Sequence, residues 1–134
     1  MQNRSRLDPD LVHDFVNDAH SNLDRVRDLL GRHATVVNAA WDWGGGDWET
    51  GLGAAAHMGR KDIALLLLEH GARMDIFAAA MLGHLEIVRA TIQALPAAPR
   101  WRGPHGIALL SHAEAGGPAA SPVADYLRGL GETA

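Results

Sequence analysis

The stretch that decides the fold is residues 50–71, TGLGAAAHMGRKDIALLLLEHG. Residues 51–57 are small and apolar, which favours a short helix, and residues 58–60 follow as a tight turn. Within that turn Gly59 can adopt a positive φ at little cost. Residues 61–70 then place their apolar side chains on one face of a second helix. The stretch therefore predicts two short helices joined by a turn.

The same arrangement occurs three more times along the chain. The other copies are AHSNLDRVRDLLGRHATVVNA, then FAAAMLGHLEIVRATIQAL, and finally GIALLSHAEAGG continued after an insertion by VADYLRGLG. The four turn positions are Asn22, Gly59, Gly83 and Gly116, with spacings of 37, 24 and 33 residues. A period of about 33 residues made of two helices and a turn is typical of ankyrin repeats.

The chain resembles the ankyrin-repeat family, most closely in its middle. TGLGAAAHMG at residues 50–59 aligns with the family's T-P-L-H-x-A-A-x-x-G, and GHLEIVR at residues 83–89 resembles its second helix. The whole pattern is similar to bacterial ankyrin-like proteins. The resemblance implies an all-α ankyrin-repeat solenoid of about four degenerate repeats in one domain, residues 1–134. The implied repeats cover roughly residues 8–38, 39–72, 73–99 and 100–131.

The sequence departs from the family pattern at the fingers, which are the hairpins between repeats. The link at residues 72–76 is too short for a hairpin, so the third repeat is expected to lack its finger. Conversely, residues 41–49, WDWGGGDWE, predict an unusually long and aromatic second finger, called here the Trp-rich finger.

Stacking should bury the apolar faces of neighbouring repeats in one continuous core, because no single helix pair can bury its own. The second helices supply the large aliphatic side chains. The residues predicted to dominate the core energy are Ile63, Leu66, Leu67, Ile87 and Ile92.

Composition excludes several classes of function. The chain has no cysteine, which removes disulfides, thiolate metal sites and cysteine nucleophiles. Its net charge of −4 and single lysine provide no broad basic face for nucleic acid. No apolar run is long enough for a membrane span. An apolar signal-peptide core is also missing near the N-terminus, so we expect a cytoplasmic location.

The leading functional hypothesis is a non-enzymatic protein–protein interaction module. Three tryptophans within eight residues favour partner binding, although Trp41 could equally fold back onto the stack. The family resemblance adds the ends of the first helices, which line its concave groove. The predicted contacts with an unidentified protein or peptide are Trp43, Asp47, Trp48, Glu49, His57, Met58, Met81 and Leu82.

No catalytic residue, cofactor or metal site is predicted. Equivalent histidines such as His20 and His57 should lie on helices about 8–10 Å apart, too far to converge on one ion unaided. The alternative is a small-ligand or metal-dependent site between the Trp-rich finger and His57, suggested by Asp42, Asp47 and Glu49. Self-association is a third possibility, so we expect a monomer or a weak homodimer.

Overall fold

The computed structural model of the protein describes residues 4–134 and is mostly helical. Within this range there are eight α-helices and one two-stranded antiparallel sheet. The helices are α1 (Pro9–Asp18), α2 (Leu23–Arg32), α3 (Gly51–His57), α4 (Lys61–Glu69), α5 (Ile76–Leu82), α6 (Leu85–Ala94), α7 (Leu109–Ala115) and α8 (Ser121–Gly129). The strands are β1 (Ala40–Asp42) and β2 (Trp48–Thr50). None of the helices described is both long and apolar enough to cross a membrane.

The helices form four consecutive pairs. The predicted helices at residues 51–57 and 61–70 are confirmed, the second ending one residue earlier than predicted. The turn glycines Gly59 and Gly83 have φ values of +66° and +79°, as such turns require. In the fourth pair Gly117 takes this conformation, one residue after the predicted Gly116.

The pairs stack side by side through their first helices. α3 packs against α1 and α5, and α5 packs in turn against α7, while α2 contacts α4 and α6 contacts α8 behind them. Small side chains allow this close approach, and Gly51 to Ala56 are all buried. Thr50 and Asp75 begin α3 and α5 by accepting the amide hydrogens of Gly53 and Ala78.

Most of the predicted core residues are buried. Ile63 and Leu67 are fully inaccessible, Ile92 is buried and Leu66 is half-buried. The prediction for Ile87 is wrong, because its side chain is 40% exposed. α6 instead directs Val88 into the cluster formed with α5, α7 and α8, and one residue on a helix corresponds to a rotation of about 100°.

The Trp-rich finger is a hairpin made by β1 and β2. Trp41 pairs with Glu49 and Asp42 with Trp48 across the two strands. Asp42 Oδ1 accepts the amide hydrogens of Gly44 and Gly46, at 2.8 and 3.0 Å, which closes the turn. Because side chains alternate along a strand, Trp48 faces solvent and Glu49 faces inward.

A second hairpin-like turn precedes α7. Arg102 bridges to Ala108, and the Gly103 amide donates to the Ile107 carbonyl at 2.9 Å. The tip of this 102–108 loop is His105, which has φ +61°, an uncommon conformation for a residue other than glycine. The tip reaches the Trp-rich finger, where the amide of His105 donates to Asp47 Oδ1 at 2.8 Å.

Candidate metal centre

The buried carboxylate of Glu49 is surrounded by three imidazole rings. Its side chain is inaccessible to solvent, yet both its oxygens face nitrogen atoms. Nε2 of His20 lies 3.1 Å from Oε1, while Nε2 of His57 and of His105 lie 3.0 and 3.3 Å from Oε2. One potential ligand atom from each of the four residues lies within 4.8 Å of all the others.

Separate parts of the stack supply these four side chains. His20 stands in the turn between α1 and α2, Glu49 in β2, and His57 is the last residue of α3. His105 comes from the tip of the 102–108 loop. The cluster therefore joins the first helix pair, the Trp-rich finger, the second pair and the segment before the fourth pair.

In two of these histidines the outer ring nitrogen, Nδ1, already makes a hydrogen bond to an oxygen atom. Nδ1 of His20 lies 2.9 Å from the Val16 carbonyl, and Nδ1 of His105 lies 2.7 Å from Asp47 Oδ2. Carbonyl and carboxylate oxygens only accept, so each Nδ1 must carry the proton. With Nδ1 protonated, Nε2 is the ring atom that faces Glu49: it donates a hydrogen bond there when protonated and offers a lone pair to a cation when the ring is neutral. Metal-ligating histidines have this arrangement, with the outer N–H held by a carbonyl or a carboxylate.

Two buried atoms at the centre lack a hydrogen bond. Glu49 Oε2 and His57 Nε2 are 3.0 Å apart, but neither has a hydrogen-bond partner of acceptable geometry. Buried polar atoms without a partner are rare and require an explanation. A cation bound between the two atoms would supply the missing partner.

The separations also suit a small cation. Two ligands bound to zinc at about 2.0–2.1 Å in a tetrahedron are about 3.3–3.4 Å apart. The three separations between Glu49 oxygens and imidazole nitrogens, 3.0, 3.1 and 3.3 Å, are close to that value. The other separations in the cluster are within 4.8 Å, so the imidazole nitrogens would have to draw closer together to complete a tetrahedron.

The carboxylates of the cluster are ionised at neutral pH. Burial opposes the charge on Glu49, but the neighbouring imidazoles of His20 and His57 outweigh it and lower the pKa of Glu49 to about 2. The hydrogen bond from the His105 amide lowers the pKa of Asp47. The hydrogen bond to Glu49 raises the pKa of His20. The site thus concentrates negative charge beside nitrogen ligands.

Two of the finger's tryptophans, Trp41 and Trp43, fold back on the stack, and Trp43 reaches this centre. Trp43 Nε1 donates to Glu49 Oε1 at 2.9 Å, which fixes the orientation of the carboxylate. The ring of His13 packs edge-to-face against Trp41 and Trp43, with centroids 5.3 and 5.5 Å apart. Trp41 and Trp43 are consequently half-buried rather than displayed to solvent.

The residues predicted for partner binding are divided by this arrangement. Asp47, Glu49 and His57 come together with Trp43 around the cluster, whereas Asp42 serves only the hairpin turn. Met81 and Leu82 are buried, with exposures of 2% and 9%, in the packing between repeats. Among the predicted contacts, the large apolar side chains that reach solvent are Trp48 and Met58, at 61% and 48% exposure.

His20 and His105 belong to the cluster, although neither was predicted as a site residue. The expectation that stacked histidines stay too far apart is wrong for His20 and His57, whose ring centroids are 5.0 Å apart. Both side chains contact the same carboxylate, which brings their rings together. The equivalent positions of His20 and His57 in two repeats were the available signal.

Comparisons with known proteins add no family to this description. No protein-family model matches the chain, and no curated protein matches it either.

Proposed function

We propose that the protein binds one divalent transition-metal ion, zinc by preference, through His20, Glu49, His57 and His105. The observation that carries this proposal is the convergence of three imidazole Nε2 atoms on one buried carboxylate. Three nitrogen ligands and one oxygen ligand suit zinc, and imidazole also binds copper, iron and nickel. Four protein ligands are typical of structural zinc sites, so the ion's role is to hold the repeats together.

The ion can enter from one edge of the site without unfolding of the protein. The side chains of His105 and His20 are 33% and 20% exposed, whereas Glu49 is covered. His105 on the 102–108 loop is therefore the ligand at which we expect the ion to enter.

Zinc titration of untagged, chelator-treated protein tests the proposal. We expect one equivalent to bind, and Glu49→Gln to weaken binding by at least about 100-fold, because it replaces a charged ligand. Asp47→Asn should weaken it about 10–100-fold, the usual effect of losing an outer hydrogen bond to a ligating histidine.

His84→Ala is the matched control, since His84 is exposed and outside the cluster. Circular dichroism checks that each variant is folded, and His105→Ala, a change in a loop, provides a second ligand deletion. The proposal would be contradicted if the wild type bound no stoichiometric zinc. It would also be contradicted if Glu49→Gln and His105→Ala bound zinc as tightly as the wild type.

We further propose that the stack is of the ankyrin type. Support comes from the four helix pairs, the left-handed turn glycines Gly59 and Gly83, and the packing between consecutive first helices. The hairpin before α3 corresponds to a finger. No strand occurs in the described residues between α4 and α5, where a finger was expected to be missing.

Binding of a protein partner is the second candidate function. The exposed side chains of Trp48 and Met58, close to the proposed metal site, favour it. Trp48→Ala should then abolish cross-linking of a partner that the wild type captures. Trp101→Ala should not, since that exposed tryptophan lies outside the Trp-rich finger, in a groove lined by Met74, Ile87 and Leu95. Equal cross-linking by wild type and Trp48→Ala would eliminate this candidate.

A further inference from the structure

We propose that a cleft beside the metal centre binds a small carboxylic acid with a flat, aromatic body. This proposal deepens the proposed function and rests on it in one respect: the metal would fix both walls of the cleft. The cleft has a volume of about 380 Å³ and lies between the Trp-rich finger and the 102–108 loop. Small-molecule sites in proteins generally have volumes of about 300–1,000 Å³.

Flat apolar groups form much of the lining. The indole of Trp48 belongs to the finger, the ring of Phe77 lies in α5, and the pyrrolidine of Pro104 belongs to the 102–108 loop. Trp48 is 61% exposed, so a ligand that stacked on it would remove apolar surface from water. These surfaces favour a planar ligand over a branched or highly polar one.

Of the three charged side chains in the lining, Arg102 is the one that can pair with an anion. Both aspartates are engaged, since Asp75 caps α5 and Asp47 binds His105 through both oxygens. Arg102 is the one basic residue of the lining, and its guanidinium makes no ion pair or hydrogen bond with any residue in the range 4–134. A guanidinium pairs best with a carboxylate, through two parallel hydrogen bonds.

The cleft and the metal centre are built from the same two segments, the Trp-rich finger and the 102–108 loop. Trp48 directly follows Asp47, and Arg102 and Pro104 stand just before His105 on the loop. The 2.7 and 2.8 Å hydrogen bonds between Asp47 and His105 therefore join the two walls of the cleft. A metal ion on His105 would hold the loop in place, and so should raise the affinity for the carboxylate. By thermodynamic linkage the carboxylate should raise metal affinity equally.

Calorimetric titration with 2-naphthoate tests the ligand class, with 2-naphthamide as its uncharged counterpart. Zinc-loaded protein should bind the acid at least about tenfold more tightly than the amide, as expected for one charge-assisted pair. Arg102→Gln should remove that preference, and Arg100→Gln, on an exposed neighbour outside the lining, should keep it. Failure of 2-naphthoate to bind, or a preference that survives Arg102→Gln because the acid coordinates the metal directly, would overturn the proposal.

Repeating the titration on metal-free protein separates the two proposals. We expect binding of the acid to weaken at least about fivefold, a typical coupling between linked sites. If zinc binds but the acid does not, the cleft proposal alone is wrong. If the acid binds through Arg102 while zinc fails to bind, the cleft proposal stands and the proposed metal site is wrong.

Discussion

We expect saturating zinc to raise the melting temperature of the metal-free protein by about 10–20 °C. An ion that binds only the native state at a concentration 1,000 times its Kd stabilises that state by about 4 kcal/mol. For a domain of this length each kcal/mol shifts the midpoint by about 3–5 °C. Differential scanning calorimetry with and without zinc measures the shift.

The shift should be large because the ligands meet only in the folded chain. His20 and His105 are far apart in sequence, and the unfolded chain offers no comparable arrangement of His20, Glu49, His57 and His105. At the same zinc concentration Glu49→Gln, with its affinity about 100-fold lower, should keep at most about a third of the shift, whereas His84→Ala should retain the full shift. A zinc-induced shift in Glu49→Gln as large as that of the wild type would place the stabilising ion elsewhere.

Much of the secondary structure could be predicted from local sequence. Residues 50–71 carry their own turn glycine, their cap and a helical apolar face, and both of their helices are confirmed. Ile87 was mispredicted because apolar character alone does not distinguish it from Val88. That choice depends on which side of α6 meets α8, and this contact is set by distant residues.

The candidate site was less predictable, because it is a tertiary feature. Glu49 and His57 are eight residues apart and were grouped from the sequence as an alternative site. His105 reaches them from a loop whose tip has positive φ, and a lone histidine in a Pro-His-Gly turn does not indicate such reach. The inward direction of Glu49 depends on its register in β2, opposite to that of the exposed Trp48.

Gly116→Ala should destabilise the protein by about 3 kcal/mol or more, the upper end of the usual cost of overpacking. Gly116 ends α7 with an ordinary φ of −72°, so backbone strain is not the cause. A β-carbon at this position would overlap the carbonyl oxygen of Met81 in α5 and lie 2.7 Å from the β-carbon of Ala120. Neither group can move without shifting the backbone, that of α5 at Met81 or that of the link between α7 and α8 at Ala120. Urea unfolding at equilibrium measures the loss.

Replacing Gly31 with alanine should not lower the free energy of unfolding. Gly31 lies inside α2, and a β-carbon there would meet no atom within 4 Å. Alanine favours a helix over glycine by about 0.5–1 kcal/mol, so Gly31→Ala should be neutral or stabilising. Comparing Gly116→Ala with Gly31→Ala distinguishes a steric clash at Gly116 from a general effect of replacing glycine in this protein. If Gly116→Ala were as stable as Gly31→Ala, the close approach of α5 and α7 at this turn would not be a constraint on the stack.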